Sequence, residues 1–344
     1  MALTEWYVRP DDNDTNGDGS SGDPYGDFQA LLDNEAMSSS GGTRINVSDQ
    51  NGTHEILAAV LDFATTFFVT NSPGLNNRLI IEGYTSAAGD GGIGILDGNA
   101  LYSIAILNTK SYITLRNLRL TNCGSATYMF RGGLNCVVEN VECDDHTGSV
   151  GINLGNYSII TNGYFHNTAN IAAQLTIGCV IRCRFEDGTN KFTGCLSSTA
   201  PFLFVEDCTF WCNSTGTTYV ILHRDQVIVK NSSFYNNAAC TNPCIKANAT
   251  SQPLGIIENN LFEGWSGVGG ACIEAASASQ SPIVRGNRYS NVTAFLTNSG
   301  QVILAEDNSV TTASPFTDAA NKDFRPVDAD GVKEGSVPAG IGLY

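Results

Sequence analysis

The sequence predicts an all-β chain wound as a right-handed parallel β-helix. Two observations carry that prediction: a drifting repeat of β-formers through most of the chain, and a column of turn residues that keeps step with it. The repeat first shows at residues 114–120, TLRNLRL, and returns as VVENVEC, IITNGYF, VIRCRF, FVEDCTF, IVKNSSF, IIENNLF and IVRGNRY. Each copy ends on a bulky or apolar side chain: Leu120, Cys143, Phe165, Phe185, Phe210, Phe234, Phe262 and Tyr289. The steps between them are 23, 22, 20, 25, 24, 28 and 27 residues, which indicates a solenoid whose loops vary in length. Leucine-rich repeats share this length but need a leucine ladder that is absent. Helical repeats fail because the β-branched runs are short and bounded by Asn or Gly. A parallel β-helix of about 22–28 residues per turn remains, its turns stacking at roughly 4.8 Å. Right-handed crossovers follow from the general chirality of parallel β connections.

The turn column reads Asn117, Asn140, Asn162, Cys183, Asp207, Asn231, Asn259 and Gly286. A sharp bend between strands asks for a left-handed residue, which Asn and Gly tolerate best. Stacked asparagines can also bond to one another from turn to turn. Cys183 breaks the pattern, so a local irregularity is expected there.

The ends read as caps. An open solenoid end is an exposed sheet edge that invites aggregation unless covered. FQALLDNEAM and EILAAVLDFATTFF both have helix-compatible apolar spacing, and Ser48, Asp49, Asn51 or Thr53 could cap the second. The expected organisation is a helix-containing N-terminal cap with an acidic Gly-rich loop over residues 1–75, the parallel β-helix over 76–310, and a C-terminal cap or tail over 311–344.

With SYITLRNLRLTNC and its echoes in view, the chain resembles the pectin-lyase-like right-handed β-helix superfamily. WYVRPDDNDTNGDGSSGDPYGDFQALLD is similar to the opening of many such proteins, and NKDFRP to their closing segment. The resemblance implies an architecture that hosts lyases, hydrolases, epimerases, adhesins and bacteriophage spikes. Motifs of its catalytic branches are missing: the N-T-D, G-H-G and R-I-K segments of polygalacturonases, and the W-x-D-H and R-x-P-x-x-R segments of pectate lyases.

A formal charge of −16 argues against nucleic acid or an anionic membrane as partner, and permits cations, neutral sugars or a basic protein surface. The most apolar window, EILAAVLDFATTFFVT, is interrupted by Asp62 and too short to span a bilayer, so no membrane insertion is expected. MALTEWYVRPDDND lacks the pattern of a secretory signal. Eleven cysteines cannot all pair internally. They read as buried free thiols, with disulfides and structural zinc as alternatives.

Three groups of residues could carry function. Asp12, Asp14, Asn16, Asp18 and Asp23 follow calcium-loop spacing, with oxygen ligands at alternate positions and Gly17 at the bend; the alternative is a metal-free acidic turn. Next, strand alternation turns the residue after each bulky one outward, giving the stripe Thr121, Asp144, His166, Glu186, Trp211, Tyr235, Glu263 and Ser290. Within it, His166, Trp211, Tyr235 and Glu263 suit carbohydrate, rings stacking on the aromatics while carboxylates accept hydroxyl protons. An ordinary solvated stripe is the alternative. Third, Asp144, Asp145, His146 and Glu186 are the candidate catalytic groups, although the repeat already accounts for Asp144 as an outward residue at an exposed turn. His223-Arg224-Asp225 reads equally as an acid–base set or a surface ion pair.

The expected function is a non-enzymatic structural or adhesive β-helix, a virion component of a bacteriophage such as a spike, fibre or capsid decoration. Its partners would be other virion or surface proteins or a cell-surface polysaccharide, with a homotrimer by analogy. The expected location is the extracellular particle, with secretion or surface display by a route lacking a conventional signal as the alternative. The alternative function is a polysaccharide depolymerase, a glycoside hydrolase or lyase on the same fold. Ca2+ is the one cofactor envisaged, and no organic cofactor.

Overall fold

The structure, a computed structural model, describes residues 3–10, 17–48, 54–55, 71–100, 103–107, 110–124, 127–168, 170–188, 192–213, 217, 219–223, 226–238, 240–247, 255–275, 282–298, 304–321 and 323–326. The chain divides into two compact units, Met1–Ile159 and Ile160–Tyr344. The solenoid strands of both are parallel, as the repeats require.

In the first unit, Thr4–Val8, Thr43–Ser48, Leu79–Tyr84 and Ile113–Thr121 pair in parallel succession, and the last also pairs with Val137–Cys143. Register places Trp6, Ile45, Ile81, Leu115 and Val138 in one row. A second row joins Leu96, Leu120 and Cys143. A third joins Ala105, Phe130 and Ile152. Three strand rows per turn are the section of a parallel β-helix. The expected N-terminal helix is present at Phe28–Asn34, where the Asp27 carboxylate accepts from the Gln29 N–H at 2.7 Å. It buries Phe28, Leu31 and Leu32, the i, i+3, i+4 face of its sequence. The second expected helix, EILAAVLDFATTFF, lies outside the described residues except for Glu55, which sits in the strand His54–Glu55. Among the described residues no helix is long and apolar enough to cross a membrane.

The second unit repeats the three-row section. Its short row pairs Phe165, Phe185, Phe210, Phe234, Phe262, Tyr289 and Val310 level by level. The five phenylalanines are fully buried and stack with ring centroids 4.8–4.9 Å apart and planes within 4–8°. Strand spacing sets that distance, so each ring meets its neighbour as a stacked face with no adjustment of the backbone.

The turn column needs one correction. Left-handed backbone occurs at Asn117, Asn140, Asn162, Arg182, Asp207, Asn231, Asn259, Gly286 and Asp307, each three residues before the bulky position. Arg182, rather than Cys183, takes the turn (φ 52), so the copy VIRCRF is of ordinary length and carries no irregularity. Cys183 belongs to the next column, which points inward and forms a ladder. The backbone N–H of Gly163 donates to Cys183 Sγ (3.3 Å), that of Cys183 to Cys208 Sγ (3.5 Å), and that of Cys208 to Ser232 Oγ (3.2 Å). Ser232 N–H then donates to Asn260 Oδ1 (2.9 Å), Asn260 N–H to Asn287 Oδ1 (2.9 Å), and Asn287 N–H to Asn308 Oδ1 (3.1 Å). Each level thus supplies the acceptor for an N–H the bend would leave buried and unpaired. The asparagine amides also donate to the Val229 and Ile257 carbonyls of the preceding turn. The expected bonding within the left-handed column itself occurs at Asn140 and Asn117 (2.8 Å).

All eleven cysteines are free thiols, ten of them buried and Cys179 partly exposed. Burial pushes the thiol of Cys136 up to about 11 and that of Cys123 up to about 12, so these groups stay protonated and act as small apolar fillers.

Candidate functional site

In the second unit the outward stripe is in register as expected: His166 beside Glu186, then Trp211, Tyr235, Glu263 and Ser290. Alternation also brings the residues two positions earlier to the same face. Tyr164 therefore stacks on His166 (centroids 4.3 Å, 21°), and the Arg184 guanidinium lies 5.5 Å over the Tyr164 ring. Glu186 joins them, accepting from Tyr164 Oη at 3.1 Å and pairing with Arg184 at 2.8 Å. These four side chains form one polar–aromatic cluster. Glu186 is buried at its centre, while Tyr164, His166 and Arg184 remain partly exposed. Next to it the Asp187 carboxylate is taken up by the N–H groups of Phe192 (2.8 Å) and Asn213 (2.7 Å).

The other half of the stripe is not the open aromatic surface expected. Trp211 and Tyr235 are each only 8% exposed, because the segment after the last solenoid strand folds back over them. Phe316 meets Tyr235 edge-on at 6.4 Å, and Trp211, Tyr235, Leu261, Phe316 and Ala319 form one apolar cluster. Ser314 Oγ donates to Glu263 at 2.5 Å, and burial pushes the Glu263 carboxyl above its ordinary value. The closing strand Asp323–Pro326, from NKDFRP, pairs antiparallel with Phe316–Asp318 and completes this hairpin. The side chain of Tyr235 is also fixed from below, its hydroxyl donating to Asn237 Oδ1 at 3.2 Å.

In the first unit Asp144 is buried rather than exposed. Its carboxylate is held in a short ion pair with Arg119, which also approaches Glu142 at 3.4 Å. Asp145 has left-handed backbone (φ 51) and is exposed, so the two adjacent carboxyls are separated as alternation and the bend demand. His146 is fully buried; its Nδ1–H donates to the Cys123 carbonyl at 2.6 Å, and burial lowers its pKa. Asp144, Asp145 and His146 are therefore three side chains in three environments: an ion-paired face, a solvated bend and the interior. Sequence alone missed Arg119, Tyr164 and Arg184. For all three the signal was available, since they precede the stripe residues Thr121, His166 and Glu186 by two residues.

Of the calcium-loop candidates, Asp12, Asp14 and Asn16 lie outside the described residues. Asp18 and Asp23 are exposed; hydrogen bonding from the Ser20 side chain, and then from the Ser20 N–H at 2.9 Å, holds the Asp18 carboxyl below the ordinary value. His223 is buried, and its two sequence neighbours Arg224 and Asp225 lie outside the described residues.

No protein-family model matches the sequence, and comparison with curated proteins gives no match. Solved structures do resemble the fold. Pectate lyase Pel9A superposes with a TM-score of 0.54 at 15% identity, over 92% of this chain and 84% of its own. A GH136 lacto-N-biosidase from Eubacterium ramulus superposes with a TM-score of 0.53 at 10% identity, over 89% of this chain and 68% of its own. At such identities the likeness is one of fold alone, the parallel β-helix expected from the repeats.

Proposed function

We propose that this chain is a carbohydrate-binding β-helix that works by adhesion rather than by bond cleavage. The observation that supports the reading is the state of its carboxylates. Cleavage of a glycosidic bond by paired carboxyls needs one with a raised pKa facing one that stays ionised, a water's width or less apart. In the second unit Glu186 is consumed by Arg184 and Tyr164, whereas Glu263, whose pKa is raised, sits three levels away. At strand spacing that is about 14 Å, beyond the separation either hydrolytic geometry uses. In the first unit Asp144 is neutralised by Arg119, and His146 faces the interior. What such a face does offer is a fixed aromatic pair, Tyr164 on His166, flanked by an ion pair with hydrogen-bonding capacity toward hydroxyls. Trp211, Tyr235 and Glu263 extend it beneath the C-terminal hairpin, where they would meet glycan only if Phe316 is displaced.

The setting proposed for this activity is an extracellular particle or cell surface, a bacteriophage virion included, with cell-surface polysaccharide or neighbouring coat proteins as partners. That setting rests on the sequence resemblance. Cell-binding assays with purified protein and host-type polysaccharide test it, and failure to retain any glycan would sink it.

The second reading is a polysaccharide depolymerase. It is favoured by the two similar structures, each named as an enzyme acting on carbohydrate. Incubation with a polysaccharide panel separates the two readings: adhesion predicts retention with unchanged chain length, and depolymerisation predicts new chain ends lost in Glu186→Gln or Asp144→Asn.

A further inference from the structure

The first unit holds a cleft of ≈ 300 Å³, lined by Tyr7, Arg9, Ser21, Tyr84 and the loop from Thr85 to Ala88. Ser21 places it beside the described part of the acidic loop, between Asp18 and Asp23. We propose that it is a binding site for a single terminal sugar residue carrying one anionic group.

The walls are preorganised. Tyr7 on Thr4–Val8 and Tyr84 at the end of Leu79–Tyr84 meet at right angles, with centroids 5.6 Å apart and planes at 88°. Tyr84 is buried and backs Tyr7, whose partly exposed ring is the aromatic surface on offer to a pyranose. The Tyr7 hydroxyl donates to Glu5 at 3.0 Å, and burial together with that carboxylate pushes its pKa up to about 12. Its proton is committed, so the ring rather than the hydroxyl is the part on offer. The opposite wall is a loop tied by one side chain. Asp90 accepts from the N–H groups of Thr85 (2.9 Å), Ser86 (2.6 Å), Ala87 (2.9 Å) and Gly92 (3.0 Å). These donors hold the Asp90 carboxyl far below the ordinary range, and they take up its charge.

Arg9 supplies the specificity. Its backbone N–H is fixed to the Tyr25 carbonyl at 2.8 Å, while its side chain makes no ion pair with any described residue. Among the acids near this cleft, Glu5 is paired with Arg44 at 3.2 Å, and Asp18 accepts from the Ser20 N–H at 2.9 Å. An Arg fork beside an aromatic corner and the hydroxyl-bearing residues Ser21 and Thr85 matches a ring with several hydroxyls and one carboxylate or phosphate, the Ser86 hydroxyl being committed to Asp90 at 3.1 Å. The cleft's size suits one such residue at a chain end and not a polymer passing through.

The test is titration calorimetry on the full chain with N-acetylneuraminate, glucose 6-phosphate, glucose and inorganic phosphate. Both anionic sugars, or one of them, should bind at least roughly tenfold more tightly than glucose or phosphate, since each control lacks half of the recognition. Arg9→Gln should remove that tenfold preference with an unchanged melting temperature, and Tyr7→Phe should keep it, because the ring persists. Which anionic sugar binds distinguishes carboxylate from phosphate as the source of the charge. Equal affinity for phosphate and sugar phosphate, full binding by Arg9→Gln, or no binding of either anionic sugar at millimolar concentration overturns the proposal.

Discussion

Two columns of the second unit, one residue apart in sequence, behave oppositely. Phe165, Phe185, Phe210, Phe234 and Phe262 are five copies of one side chain in one environment, stacked at 4.8–4.9 Å. His166, Glu186, Trp211, Tyr235 and Glu263 follow them directly, share their register, and comprise four residue types in differing surroundings. The inner column answers only to packing, where the best neighbour of a stacked ring is another ring. The outer column is set by whatever crosses it: an arginine and a tyrosine at Glu186, the C-terminal hairpin at Tyr235 and Glu263. Repetition therefore marks the scaffold, and its interruption marks the places where function can sit.

The sharpest way to break the inner column is Phe210→Ala, which leaves a cavity between two rings that cannot close without shifting whole strands. It should cost about 3–5 kcal/mol in chemical denaturation, with Phe165 at the end of the stack costing less. A loss under about 1 kcal/mol would mean that the stack is not what holds these levels together. The neighbouring ladder is next. Asn287→Ala removes the acceptor for the Asn260 N–H and the donor to the Ile257 carbonyl, both buried, and should cost about 1–3 kcal/mol.

His146 gives a smaller, pH-dependent effect. Its folded pKa lies below the unfolded value of about 6.5, so the unfolded chain binds the proton more readily. Its contribution is intact above about pH 6.5 and is lost as pH falls from there toward the folded pKa. Denaturation midpoints of wild type and His146→Leu should therefore converge or cross on acidification, and parallel pH profiles would contradict the assignment. On the outer column, Phe316→Ala should red-shift tryptophan emission by uncovering Trp211, with little effect on global unfolding. Unchanged emission would mean that the hairpin does not shield that ring.

These outcomes also bear on what was legible beforehand. The inner column was readable because its period survives every change of loop length. The turn column was misplaced at Cys183 because Arg is a poor marker of left-handed backbone; counting three residues back from Phe185 would have found Arg182. Burial of Asp144 was readable only through the repeat, since its partner Arg119 lies one level earlier, opposite Glu142. The cover over Tyr235 and Glu263 was not readable, because Ser314 reaches Glu263 across 51 residues of chain. Sequence periodicity reports contacts between equivalent positions. It is silent on contacts made by segments outside the repeat.

The central claim is that the outer column binds glycan without cutting it. The direct measurement is co-sedimentation of the full chain with a panel of insoluble and high-mass polysaccharides, reading both the bound fraction and the released chain ends. The account predicts retention on at least one glycan, a loss of about 2- to 10-fold in affinity for Tyr164→Ala as its stacking contact disappears, and no new ends at any time point. New reducing or unsaturated ends that vanish in Glu186→Gln would contradict it.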